Sequence, residues 1–347
     1  MDNRRRRLLV ALGTATAGAV AGCSGGSNND TDQTETPTAS GTPTGDTTTS
    51  PDPPGEQTAK LRAAVDDDIT DSFGAAVELS GDGSTVVVGS PDDELATGGS
   101  AEPSVYVFSL SDGEWTQEAQ LVPDESGLGE VFGESIAVSE DGSTVLVGAP
   151  EDRSRDHEVG AAYVFARSDG EWSQQAELTT DRPDEYLEVG ISVSLSDDGS
   201  TALVGTPRAD SRERTGSTSG AAYVFARSGG EWTQAATLVS EEIESLDMLG
   251  TSVALSGDAS TAVLGAPGRG GFDSEKRGAA YVFGRSDGDW TQQAKFTADD
   301  EHSDDTFAPV VELSADGSTA MVGAPESESY SQEYANAAYV FSRSDGV

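Results

Sequence analysis

The side chains able to do chemistry in this chain are overwhelmingly carboxylates. Asp and Glu number 62 against 20 Lys and Arg, beside 2 histidines and a single cysteine. His157 and His302 lie far apart with no second histidine near either, so the ligand set of a transition-metal site is missing. Cys23 has no partner thiol, which excludes an intramolecular disulfide. Neither a Gly-Lys-Ser/Thr phosphate loop nor a His-Glu-x-x-His pair supports phosphate or zinc chemistry. What remains are four acidic runs: Asp66-Asp67-Asp68 with Asp71; Asp181 with Asp184 and Glu185; Glu241-Glu242 with Glu244 and Asp247; and Asp299-Asp300-Glu301 with Asp304-Asp305. Carboxylates at this density suit three kinds of chemistry. They can attract a cationic partner, hold a divalent cation such as Ca²⁺, or, as a facing pair ~5–9.5 Å apart, hydrolyse a glycosidic bond. The elements that hold them decide between these.

Those elements come from one unit of about 58 residues repeated five times. An apolar residue followed by a small one opens each copy: Phe73-Gly74, Phe132-Gly133, Val189-Gly190, Leu249-Gly250 and Phe307-Ala308. A turn follows, Asp82-Gly83-Ser84 in the first copy and Asp258-Ala259-Ser260 in the most divergent. A run ending in Gly-Ala-Pro or a relative comes next, as at Gly148-Ala149-Pro150 and Gly323-Ala324-Pro325. Tyr-Val-Phe then begins at Tyr106, Tyr163, Tyr223, Tyr281 and Tyr339, and Trp115, Trp172, Trp232 and Trp290 close the first four copies.

Each copy reads as four short strands. The first and fourth alternate apolar and polar residues, the pattern of strands with two unlike faces. The second and third, such as Thr144 to Val147 and Ala162 to Phe165, are almost continuously apolar and must be covered on both faces. Asp-Gly turns join strands one to two and three to four. A longer, variable loop joins two to three. Four antiparallel strands repeated radially predict an all-β fold, a five-bladed β-propeller. Copy five ends at Ser344-Asp345-Gly346-Val347, where its fourth strand should begin, while Gln57-Thr58-Ala59-Lys60-Leu61 matches Gln117 to Leu121. The N-terminal segment is therefore expected to complete the last blade, closing the ring; a linear solenoid has no need of that offset.

The order Phe-Gly, Gly-Ala-Pro, Tyr-Val-Phe, Trp-Thr-Gln resembles the FG-GAP repeat, the unit of integrin α-subunit heads and of many microbial surface proteins. The resemblance covers residues 57–347 and implies a surface-displayed propeller. Val189, Leu249 and Ala308 depart from the motif, and five copies depart from the seven blades typical of integrin heads. That family often carries calcium in an Asp-x-Asp-x-Asp-Gly loop between its first two strands. Here the loop is a five-residue hairpin such as Ser80 to Ser84, too short to supply six to eight oxygens, so no metal site or cofactor is carried over.

Strands alternate in direction, so the loops between blades and those joining strands two to three share one end of the propeller, and the tight hairpins share the other. All four acidic runs fall at the loop end. So do Arg153, Arg155, Arg208, Arg212, Arg214, Arg269 and Arg277, which can pair with the acidic rim or meet a polyanionic glycan. The runs read either as a variable face that binds a cationic partner or bridges divalent ions such as Ca²⁺, or as loops kept soluble in concentrated salt.

Residues 1–56 read as address and tether. Arg4, Arg5, Arg6 and Arg7 precede a modest apolar run ending in Val20-Ala21-Gly22-Cys23, a signal peptide over 1–22 with twin-arginine-like and lipobox features. Cys23 would then carry the lipid. An uncleaved anchor helix is the competing expectation, and the general secretory route competes with twin-arginine export. Residues 23–56 are a Thr/Ser/Pro/Asp-rich stalk without a core, in which Asn29-Asp30-Thr31 matches a glycosylation acceptor.

A formal net charge of −42, with Lys60, Lys276 and Lys295 the only lysines, repels nucleic acid and resembles the surfaces of proteins from salt-saturated cells. The sequence thus predicts a lipid-anchored, non-catalytic binding or adhesion module on the extracellular face of the cytoplasmic membrane, with a surface protein or glycan as partner. The alternatives are a propeller hydrolase acting on glycans or phosphoesters through channel-mouth carboxylates, and a passive envelope component.

Overall fold

Alternating and doubly apolar segments punctuated by Asp-Gly have one economical solution, a short antiparallel sheet covered on both faces, and the chain adopts it five times. The computed structural model describes residues 57–64, 72–91, 103–124, 131–150, 159–180, 187–209, 219–268, 278–298, 307–325 and 337–343, and residues from Arg62 onward form one unit. The first sheet is β1 (Ala76–Leu79), β2 (Thr85–Ser90), β3 (Ser104–Ser111) and β4 (Glu114–Leu121). The second is β5 (Ser135–Val138), β6 (Thr144–Ala149), β7 (Ala161–Ser168) and β8 (Glu171–Leu178). The third is β9 (Val193–Leu195), β10 (Thr201–Thr206), β11 (Ala221–Ser228) and β12 (Glu231–Leu238). The fourth is β13 (Ser252–Leu255), β14 (Thr261–Ala266), β15 (Ala279–Ser286) and β16 (Asp289–Phe296). The fifth is β17 (Val311–Leu313), β18 (Thr319–Ala324) and β19 (Ala337–Ser342). Strands pair in sequence order, all antiparallel, as the repeats predict, and no helix occurs among the described residues.

The hairpins follow their turn chemistry. Asp112-Gly113, Asp169-Gly170, Gly229-Gly230 and Asp287-Gly288 all have positive φ at both positions, the geometry whose twist matches a two-residue hairpin. A register shift inside each of the four hairpins, as between Val107 and Phe108, adds a bulge that bends the outer strand.

Four apolar cores hold the array together, and each lies between neighbouring sheets. Val87, Val105 and Val107 of the first sheet pack with Val145, Val147, Tyr163 and Phe165 of the second, and the pattern recurs down the stack. The repeat motif is written into these contacts. Phe132 sets its ring 5.7 Å from Tyr163 and 6.1 Å from Phe165, edge-on in both cases. Gly133, the small residue after it, has φ +94°. The glycine of Gly-Ala-Pro permits close approach of the next sheet: a Cβ on Gly148 would collide with the carbonyl oxygen of Gly190, and one on Gly205 with that of Gly250.

Two polar devices tie sheet to sheet. Near the innermost strands, the Ser192 and Ser194 hydroxyl oxygens accept from the N–H groups of Val253 (3.0 Å) and Leu255 (3.1 Å), and Ser252 accepts from Val311 (3.0 Å). At the hairpin end, backbone N–H groups donate sideways in a relay: Asp82 to Glu140, Glu140 to Asp197, Asp197 to Gly257 and Gly257 to Ala315.

The closing strand expected for the fifth blade is not displayed by the described residues. The fifth sheet has three strands, and residues 57–64, including Gln57–Leu61, carry no strand. Val77 and Leu79 on the first sheet are 46% and 47% exposed, and Met321 and Val340 on the fifth are 46% and 66% exposed.

Candidate binding face

The loop end forms as the alternation of strand direction requires. The Leu249 N–H donates to Ser219 and the Gly268 N–H to Asp247, both loop-to-loop contacts between a blade connection and a strand-two-to-three loop. Bridges Gly160–Val189 and Gly220–Leu249 repeat the arrangement at two neighbouring interfaces. Across the same boundary Arg208 Nη2 lies 2.9 Å from Glu188 Oε1, so one of the loop arginines pairs with the acidic rim as its position suggested. Glu188, Leu246 and Met248 hold left-handed φ values of 55°, 70° and 60°, a local strain for non-glycine residues.

Most of the candidate acids lie outside the described residues: Asp66, Asp67, Asp68, Asp71, Asp181, Asp184, Glu185, Asp299, Asp300, Asp304 and Asp305. So do Arg4 to Arg7, Cys23 and Asn29. The run from Glu241 to Asp247 is described, and much of it serves the fold. Glu242 accepts from Lys295 Nζ at 3.1 Å and from Gln292 Nε2 at 3.2 Å, fastening the connection to the outer strand β16. The hydrogen bond from Lys295, and then that from Gln292, holds the Glu242 carboxyl below its usual value. Lys295 also sits 5.5 Å from the ring centre of Tyr281. Asp247 Oδ2 accepts from the Glu244 N–H at 2.6 Å. Among the described residues no three His, Cys, Asp or Glu side chains converge as a metal site.

The hairpin end is chemically the opposite, and sequence reasoning missed why. In each Ser-x-Asp-x-Ser hairpin the aspartate folds back on its own turn. Asp82 Oδ1 accepts from the Ser80 hydroxyl at 2.6 Å and the Ser84 N–H at 2.8 Å, while Oδ2 accepts from the Ser84 hydroxyl at 2.8 Å. The Ser80 hydroxyl, then the Ser84 N–H and hydroxyl, hold Asp82 below its usual value, and the same set pulls Asp316 down to about 2. Asp197 goes the other way, raised by burial and by the nearby Glu140, Asp198 and Asp258. The signal was present in five copies, a serine two residues before and two after each aspartate. These carboxylates are spoken for, so variable chemistry is left to the other end.

No curated protein matches the chain. Among solved structures the periplasmic gluconolactonase of Pseudomonas aeruginosa is similar at 15% identity and a TM-score of 0.49, covering 72% of this chain and 64% of its own. The chain thus spans under two thirds of that enzyme. The description of the FG-GAP repeat matches five times, at residues 56–108, 115–165, 172–225, 232–283 and 290–341. The last four matches start on an outer strand and end on the third strand of the following blade, the offset seen in the sequence. With three quarters of its length so matched, on five blades of the architecture the repeats predict, the chain belongs to the FG-GAP repeat family.

Proposed function

We propose that this chain is a non-catalytic binding module, held outside the cell by a lipid on Cys23 and presenting its loop end to a surface protein or glycan. The observation that carries the reading is the asymmetry of the two ends. The hairpin end is uniform, with its aspartates bonded to their own turns and its backbones tied sideways. The loop end carries connections of differing length and sequence on a rigid stack, the usual arrangement for recognition. Its acid-rich, lysine-poor character suits a salt-rich exterior, where cations screen self-repulsion.

The test is calorimetric titration of the full chain in multi-molar KCl with CaCl2 and, separately, with acidic and neutral cell-surface polysaccharides. Saturable binding at fixed stoichiometry, lost when Asp66, Asp67, Asp68, Asp299 and Asp300 are changed to Asn, supports a built binding face. Turnover of a glycan or phosphoester overturns the non-catalytic reading. Protease shaving of intact cells tests the location, since an extracellular chain is digested while a cytoplasmic one survives.

A further inference from the structure

Asp-Gly pairs occur in two kinds of hairpin, and the pair has a chemistry of its own. Asp82, Asp141, Asp198 and Asp316 precede glycine in the hairpins joining first to second strands. Asp112, Asp169 and Asp287 precede glycine at the tips joining third to fourth strands. In such a pair the glycine nitrogen can add to the aspartate Cγ. The nitrogen loses its proton, a carboxyl oxygen leaves as water, and a cyclic imide closes. Water then reopens it. Cleavage of the new N–Cγ bond restores aspartate, whereas cleavage at the main-chain carbonyl leaves the chain running through Cβ and Cγ, an isoaspartyl residue. The sequence needs no oxidant or cofactor. It needs a carboxyl free to turn onto the nitrogen, a nitrogen free to lose its proton, and a backbone able to hold the ring.

The first kind of hairpin withholds all three. Each carboxylate is bonded to its own turn, with the N–H of Ser84, Ser143, Ser200 or Ser318 donating to Oδ1 at 2.8, 2.9, 2.9 and 3.0 Å. The attacking nitrogens are engaged as well: Gly83, Gly142, Gly199 and Gly317 donate to the carbonyls of Ser80, Ser139, Ser196 and Ser314. The Ser80 and Ser314 hydroxyls, the strongest donors to Asp82 and Asp316, keep those carboxyls in the less reactive ionised form. Gly142, Gly199 and Gly317 also lie against Thr85, Thr144 and Thr261 of the preceding sheet, which leaves no room for a longer main chain.

At the tips each requirement is met. Both residues of Asp112-Gly113, Asp169-Gly170 and Asp287-Gly288 are exposed, and a Cβ on any of the three glycines would meet nothing within 4 Å. Among the described residues no hydrogen bond engages these carboxyls or these glycine N–H groups. The aspartates hold φ of 54°, 54° and 53° at the first central position of a two-residue turn. Closing the ring eclipses Cβ with the next nitrogen and sets ψ at about −120°, which with positive φ is the first position of a II′ turn. Turns I′ and II′ both suit a hairpin and differ mainly by a flip of the central peptide, which glycine at the second position accepts. The ring therefore forms without parting the strand pair Ser111–Glu114 or its counterparts.

We propose that Asp112, Asp169 and Asp287 are sites of spontaneous imide formation and isoaspartyl modification in the folded chain, and that the serine-bonded aspartates are protected from it. Gly229-Gly230 at the same corner of the third blade is a built-in blank. Each event adds a main-chain atom at a blade corner, so the corners record the time the chain has spent in solution.

The experiment incubates the full chain in multi-molar KCl at mildly acidic pH in water enriched in heavy oxygen. Digestion and electron-transfer fragmentation then locate isoaspartyl residues, while heavy oxygen counts ring closures that returned to aspartate. A urea-unfolded sample gives the intrinsic rate at every site. In the folded chain the three tips should react on the order of tenfold or more faster than the serine-bonded sites, since those must first break at least one hydrogen bond. Asp112→Glu should abolish the reaction at that corner alone. Ser80→Ala with Ser84→Ala should raise conversion at Asp82 while Asp141 stays protected, which also shows that the variant is folded. Equal conversion at both kinds of hairpin overturns the proposal. So do tips that stay unmodified while the same sites convert in the unfolded sample, or an Asp82 indifferent to loss of its serines.

Discussion

Glu312 offers the sharpest test of how the fifth sheet is built. Its strand partners Val311 and Leu313 face the core shared with the fourth sheet, which turns Glu312 the other way, beside Met321 and below Val340. Burial among these apolar neighbours pushes its carboxyl from 4.5 up to about 7. A carboxyl whose folded value is raised favours the fold while protonated. That contribution is complete below about 4.5, declines as pH rises, and is gone above about 7. The gap between 4.5 and about 7, at about 1.4 kcal/mol per pH unit, sets a ceiling of about 3 kcal/mol. Glu312 is half-buried, and water reaching it reduces the expected cost of ionisation to about 1–2 kcal/mol. Glu312→Gln removes that cost. Denaturant unfolding in multi-molar KCl should show the variant about 1–2 kcal/mol more stable than its parent at pH 8. The two should converge below about pH 4, where the carboxyl is protonated in the unfolded chain as well as in the folded one. Equal stability at pH 8, or a difference independent of pH, would refute the reasoning.

Three further outcomes follow from the same contacts. Gly148→Ala drives a methyl against the Gly190 carbonyl and should cost about 3 kcal/mol in thermal or denaturant unfolding, whereas Gly323→Ala, whose Cβ meets only ordinary contacts, should cost far less. Asp82→Ala removes the staple of one hairpin and should cost about 1 kcal/mol near neutral pH, with the loss vanishing as pH falls well below 3.8, where the wild-type carboxyl is protonated too. Dilution from multi-molar to millimolar KCl should lower the melting temperature steeply, because 42 uncompensated charges are then unscreened; a midpoint indifferent to KCl would contradict that account.

Strand order, hairpin placement and the offset of the repeat were legible because they rest on neighbours in sequence. Period-two alternation in Ala76–Leu79 and the Asp-Gly pairs at 112–113 and 169–170 need no knowledge of the rest of the chain. The meaning of the Gly-Ala-Pro glycine was not legible, since it depends on a carbonyl some 40 residues further on approaching from another sheet. The pairing of the closing strand is long-range in the same sense: Gln57–Leu61 matches Gln117–Leu121 in sequence, but the sheet it joins lies some 280 residues further on. Of the acidic runs, that around Glu242 was visible as charge, while its engagement with Lys295, 53 positions away, was not.

The boundaries of the repeat have an evolutionary corollary. Each of the last four units contributes one outer strand to the blade before it and three strands to the next, so none of them is a blade by itself. Inserting or deleting a whole unit by unequal recombination leaves the first and last surfaces of the array as they were. Every new junction it creates is one already in use. Array length can therefore drift between generations without any compensating change in sequence, and selection acts on the loops each added unit brings.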